Sequence, residues 1–133
     1  MAPPPDLHVV DEPSTQPDAP LVVVVHGAMD RSSSFGRVAR QLRDLHVVRY
    51  DRRGYGRSVG CPIGTLDEHV EDLMAVLDGR RATVFGHSIG GVIALSAAER
   101  RPDLVRSVLA YEAPAPWTTW WPRPRAAPPE DPA

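Results

Sequence analysis

Residues 21 to 25 read Leu-Val-Val-Val-Val, an apolar and mostly β-branched run without alternation. A strand with no polar face is one covered on both sides, as in a parallel sheet. The period then changes. Phe35, Val38, Ala39 and Leu42 recur at i, i+3, i+4 and i+7, which gives a helix one apolar stripe, and the serines at 32 to 34 offer it a cap. A second strand is expected at 45–50. Thr65-Leu66-Asp67-Glu68 has capping-box spacing, and Leu66, Val70, Leu73, Met74 and Leu77 then line one face of a helix that Gly79 ends. Residues 81–86 read as a third strand, 89–101 as an alanine-rich helix stopped by Pro102, and 104–111 as a fourth strand. The order β-α-β-α-β-α-β predicts an open parallel sheet with right-handed crossovers and helices on both faces.

Proline marks the ends of this unit. Of fifteen prolines, six lie in residues 1 to 20 and seven in 114 to 133, and dense proline resists regular structure. The expected organisation is a Pro-rich leader at 1–20 with room for a short strand at 7–11, a core at 21–113, and a Pro/Trp-rich segment at 114–133. A chain of 133 residues with 42% apolar and 24% charged positions fits one globular domain. Its longest purely apolar run is far short of the roughly 20 residues of a membrane span. The first residues lack the basic head and apolar stretch of a secretory signal, so a cytoplasmic location is expected. With a net charge of −2 and basic residues scattered in pairs, neither nucleic acid nor a membrane is an expected partner. Cys61 is the only cysteine and reads as a small loop residue; alone it forms no internal disulfide and no thiolate-rich metal site, and no metal is expected. All fifteen basic side chains are arginine, which removes Schiff-base and phosphate-loop lysines from consideration.

The most specific feature is Gly86-His87-Ser88-Ile89-Gly90-Gly91, a G-x-S-x-G between a predicted strand and a predicted helix. A sharp strand-to-helix turn needs residues without bulk around a strained central position, and it lifts the central hydroxyl out of the sheet with a helix N-terminus behind it. Ser88 is that residue, and the Ile89 amide would point at an oxyanion formed beside its Oγ. His26-Gly27-Ala28 follows the first apolar strand, where a backbone amide can supply the other half of an oxyanion hole. With Asp51-Arg52-Arg53-Gly54-Tyr55-Gly56-Arg57-Ser58 after the second strand and Pro102-Asp103-Leu104-Val105-Arg106-Ser107-Val108 after the last helix, the chain resembles the α/β-hydrolase family from about residue 20 to 122. The resemblance implies the N-terminal part of a fold of eight mostly parallel strands, lacking the C-terminal strands and most of the lid. It further implies a spatial order of second, first, third and fourth strand, a nucleophile at Ser88 in the elbow Gly86, His87 and Gly90, oxyanion amides at Ala28 and Ile89, and no cofactor.

Members of that family complete a triad with an acid and a histidine downstream of the nucleophile. Here the five histidines are His8, His26, His46, His69 and His87, and none follows Ser88. His26 resembles a structural histidine of the oxyanion loop, and His87, adjacent to the nucleophile, should diverge from its hydroxyl. Glu112, after the fourth strand, stands where some relatives supply the triad acid; Asp51 and Asp103 read instead as loop and helix-end residues that satisfy backbone donors. Trp117 and Trp120 open what looks like a lid and could line the pocket of a small-molecule substrate. A dinucleotide-binding module fits poorly, because Cys61-Pro62-Ile63-Gly64 separate the glycines at 54, 56 and 60 from the next helix. Two readings follow: serine-nucleophile hydrolysis of an ester-like substrate through an acyl-enzyme, incomplete in this chain for want of a downstream histidine, or a non-catalytic protein, either a truncated remnant or a partner-completed pseudoenzyme. The apolar fourth strand, left at a sheet edge, invites self-association or a complementing chain.

Overall fold

The computed structural model describes residues 6–115, 118 and 119. Five strands form one sheet in the order β1-β3-β2-β4-β5: β1 (Val9–Glu12), β2 (Leu21–Val25), β3 (His46–Tyr50), β4 (Ala82–His87) and β5 (Val105–Tyr111). The four strands from β2 onward are mutually parallel and lie in the order expected from the sequence. From the Pro-rich leader, β1 adds an antiparallel edge on β3, with Val9 opposite Tyr50 and Glu12 opposite Val47.

Both faces of the sheet are covered, which explains the unbroken apolar run of β2. On one face Val23 and Val25 join Val48, Tyr50 and Val84 beneath α2 (Leu66–Leu77) and α3 (Ile89–Arg100), whose Leu73, Leu77, Ile93, Ala94 and Ala97 complete the main core. On the other, Val24 and Val47 pack with Ala39, Phe35 and Leu42 of the segment leading through α1 (Gly36–Gln41). The Thr65 box forms as its spacing predicts: Thr65 N–H donates to Glu68 Oε2 at 2.8 Å and Glu68 N–H to Thr65 Oγ1 at 3.3 Å. At the other end Asp78, in the left-handed region, caps α2 one residue before Gly79.

The first helix departs from expectation. Ser32–Phe35 is a 3-10 turn, α1 is short, and no serine caps either element. Ser32 gives its N–H to Asp51 Oδ1 at 2.7 Å, and Ser34 gives its hydroxyl to Asp30. Val38, counted in the apolar stripe, is 52% exposed, because six helical residues cannot carry a full 3.6-residue stripe onto the sheet. Among the described residues no helix is long and apolar enough to cross a membrane.

Candidate active site

Ser88 occupies the junction between β4 and α3 with φ 54° and ψ −125°, a backbone strained for a residue bearing a Cβ. Two bonds hold it there: its N–H donates to Tyr111 O at the end of β5 at 2.8 Å, and its carbonyl accepts from Gly91 N–H at 2.9 Å. The flanking glycines are required by contact. A Cβ on Gly86 would stand 2.3 Å from Gly90 O, and one on Gly90 would stand 2.2 Å from Val25 O. The first turn of α3 therefore rests backbone to backbone on the end of β2, which brings the residues after β2 beside Ser88.

Those residues are His26, Gly27 and Ala28. A Cβ on Gly27 would lie 3.3 Å from Ser88 Cβ and 3.1 Å from His87 Nδ1, so the loop crosses directly against the elbow. Ala28 is exposed, and Ser88 and Ile89 are half-buried. Among the described residues the backbone N–H groups of Ala28 and Ile89 donate to no protein acceptor. His26 is buried beneath the loop: its Nδ1 lies 2.7 Å from Gly27 O, and its Nε2 accepts the Arg52 N–H at 2.9 Å. Only the Nδ1–H tautomer makes both bonds, and burial pushes its pKa below the ordinary histidine value.

Glu112 sits just past β5 at φ 52°, its carboxylate 3.7 Å from His87 Nε2 and largely exposed. The structure thus gathers Ser88, Ile89, Ala28, His87 and Glu112 at the C-terminal ends of β2, β4 and β5. Trp117 and Trp120 lie outside the described residues. The remaining histidines are placed elsewhere: His46 pairs with Asp11 at the β1 edge, His8 donates its backbone N–H to Ser58 Oγ, and His69 is buried on α2. Asp51 satisfies two backbone donors, Ser32 N–H at 2.7 Å and Arg57 N–H at 2.9 Å. A cleft of about 430 Å³ lined by His8, Arg31, Arg49, Asp51 and Arg57 does not include Ser88. Sequence reasoning passed over Arg52 and His69, which lie beneath the His26 loop; a run of two arginines carries no mark of which one turns inward.

A family model described as the alpha/beta hydrolase fold matches residues 20–132. The lipase LipV of Mycobacterium tuberculosis is 33% identical over 110 residues, covering 80% of this chain and 41% of that protein. Among solved structures, an alpha/beta hydrolase from Sphaerobacter thermophilus is 32% identical with a TM-score of 0.69, covering 81% of this chain and 41% of the other. A monoacylglycerol lipase from Paleococcus ferrophilus is 26% identical with a TM-score of 0.68, covering 79% and 42%. The chain spans about two fifths of the length of the proteins it matches.

Proposed function

The chain belongs to the α/β-hydrolase family, and from that premise we propose that it presents the nucleophile and the oxyanion site of a serine hydrolase acting on ester-like small molecules. The observation that carries this reading is the Ser88 backbone, held at φ 54° between β4 and α3, with the Gly27 loop against it and the Ala28 and Ile89 amides unpaired among the described residues. In the proposed reaction Ser88 Oγ attacks the substrate carbonyl carbon and its proton passes to a base. The carbonyl oxygen becomes an oxyanion held by the Ala28 and Ile89 N–H groups. Collapse expels the alcohol, which takes up the proton and leaves an acyl-serine that water hydrolyses. Names of relatives such as LipV and the Paleococcus lipase favour carboxylic esters over other carbonyl compounds.

Glu112 is the proposed acid, since it leaves β5 beside the elbow. The general base is proposed to come from polypeptide outside these residues, on the same or a complementing chain. What supports a complementing strand is β5 itself, which among the described residues pairs on one side only and leaves Leu109 60% and Tyr111 58% exposed. Incubation with a fluorophosphonate followed by peptide mass spectrometry tests the nucleophile. Phosphonylation at Ser88, absent from Ser88→Ala, is expected; modification elsewhere, or none, removes the serine reading.

A further inference from the structure

The largest fully buried side chain among the described residues is a guanidinium that the proposed chemistry does not use. Arg52 is 2% exposed, and none of the ion pairs among the described residues includes it. An interior charge without a counter-ion is costly unless its donors are satisfied. Two of its nitrogens serve one loop and the third meets α2. Nε donates to His26 O at 3.0 Å, Nη2 donates to Gly27 O at 3.0 Å, and Nη1 faces His69 Nε2 at 3.3 Å. The Tyr55 ring covers the guanidinium, with Cζ 4.6 Å from its centroid.

Both acceptor carbonyls belong to the peptides leading into Ala28. Gly27 C=O and Ala28 N–H are parts of one planar trans unit and point in opposite directions. Whatever holds the carbonyl inward therefore aims the N–H outward. Gly27 O is held twice, by Arg52 Nη2 and by the His26 Nδ1–H, and His26 Nε2 is in turn held by the Arg52 backbone N–H. Because arginine only donates, His69 must offer a lone pair from Nε2, which makes it a neutral abutment for the third prong.

We propose that Arg52 is a positioning residue for the oxyanion site: through the His26 and Gly27 carbonyls it fixes the Gly27–Ala28 peptide so that the Ala28 N–H faces the substrate carbonyl, with His69 bracing the guanidinium from behind. The proposal rests on the reading of Ala28 as an oxyanion donor. It deepens that reading by naming what sets the donor's direction.

The test uses the whole 133-residue chain. Backbone ¹⁵N relaxation gives an order parameter for the Ala28 amide, and the fluorophosphonate labelling rate of Ser88 is measured beside it. In the wild type Ala28 is expected near the rigid value of about 0.85, and in Arg52→Met it should fall towards about 0.6 while Val23 is unchanged. Labelling should slow by at least about tenfold, as expected when one oxyanion donor loses its aim. Arg53→Lys, which loosens a neighbouring ion pair off the loop, should leave Ala28 ordered. If Arg52→Met does not fold, Arg52→Lys asks the same question, because one ammonium cannot bridge both carbonyls. A wild-type Ala28 order parameter below about 0.6 overturns the proposal outright, as does wild-type order and labelling in whichever Arg52 variant folds. If the wild type is not labelled but Ala28 loosens in the variant, the clamp stands and the serine reading falls.

Discussion

Arg53 grips Asp72 with two parallel hydrogen bonds, Nε to Oδ2 and Nη2 to Oδ1, both 2.7 Å, tying the loop after β3 to the middle of α2. Asp72 is 2% exposed, so its carboxylate relies on this fork for the solvation it has lost. Removing one partner of such a pair leaves a buried charge unmet. Arg53→Ala is expected to lower unfolding stability by about 3 kcal/mol, and Arg53→Lys by somewhat less, since an ammonium cannot supply the planar fork. Urea unfolding at constant slope reads the change; a loss below about 1 kcal/mol would mean that water already solvates Asp72.

Stability should also fall with acidity in a defined window. Burial, and then the Arg52 charge, depress the His69 pKa to about 4, with Arg53 adding to the depression and Asp72 and Glu68 opposing it. In the unfolded chain a histidine titrates near 6.5. Between these values the unfolded state binds a proton that the native state refuses, so unfolding free energy is full above pH 6.5 and declines as pH falls towards 4. Below that it levels off, after a loss of roughly 3 kcal/mol. His26, depressed by its own burial, acts in the same direction. Denaturant curves at pH 7.5 and pH 5 should therefore differ, and His69→Gln should narrow the gap. An unchanged gap would place the loss on other groups.

Close backbone contact makes a sharp prediction for the elbow. An added methyl at Gly90 meets Val25 O at 2.2 Å and one at Gly86 meets Gly90 O at 2.3 Å. Backbone oxygens cannot rotate away, so each Gly→Ala change is expected to cost about 3 kcal/mol or more. Gly60, with nothing within 4 Å of its Cβ position, should tolerate alanine within about 0.5 kcal/mol. Thermal melts of the three variants decide it; equal melting of Gly90→Ala and Gly60→Ala would mean that α3 lifts off β2.

Turnover should lag behind labelling. A serine hydroxyl needs a base within hydrogen-bond reach, and Glu112 can orient an imidazole but is too weak a base to replace one. Hydrolysis of p-nitrophenyl acetate by the wild-type chain is expected to exceed that of Ser88→Ala by less than about a hundredfold. A gap of thousands with a limb titrating near 6.5 would mean that a histidine of this chain or of a second copy acts as the base.

The sheet was legible because its signals are local. An unbroken β-branched run, a Thr-x-x-Glu box and a Pro after an alanine-rich stretch each act through the backbone next to them, and each formed where expected. The tight turn from β4 into α3 was legible for the same reason, since Gly86 and Gly90 mark backbone contacts that tolerate no side chain. The 32–41 segment was misread because Asp51, nineteen residues away from Ser32, takes the amide of a serine expected to cap a helix. Arg52 and Arg53 look alike in the chain and part company in the fold, one entering the interior towards carbonyls and the other lying along α2 towards Asp72. That choice depends on which elements close over the loop, and no neighbouring residue announces it.

The contact of Gly90 on Val25 and of Gly27 on the elbow has a bearing on how such a site changes over time. The distance between the Ser88 turn and the end of β2 is set by peptide groups resting on peptide groups. Ala28, Met29 and Glu112 are exposed at the rim, Met29 at 95%. Replacing Met29 would reshape the rim while leaving the Gly90–Val25 contact in place. A selection for new substrates would therefore find its freedom at a rim position such as Met29, and a library that also varies Gly86 or Gly90 would spend most of its members on chains that never close α3 onto β2.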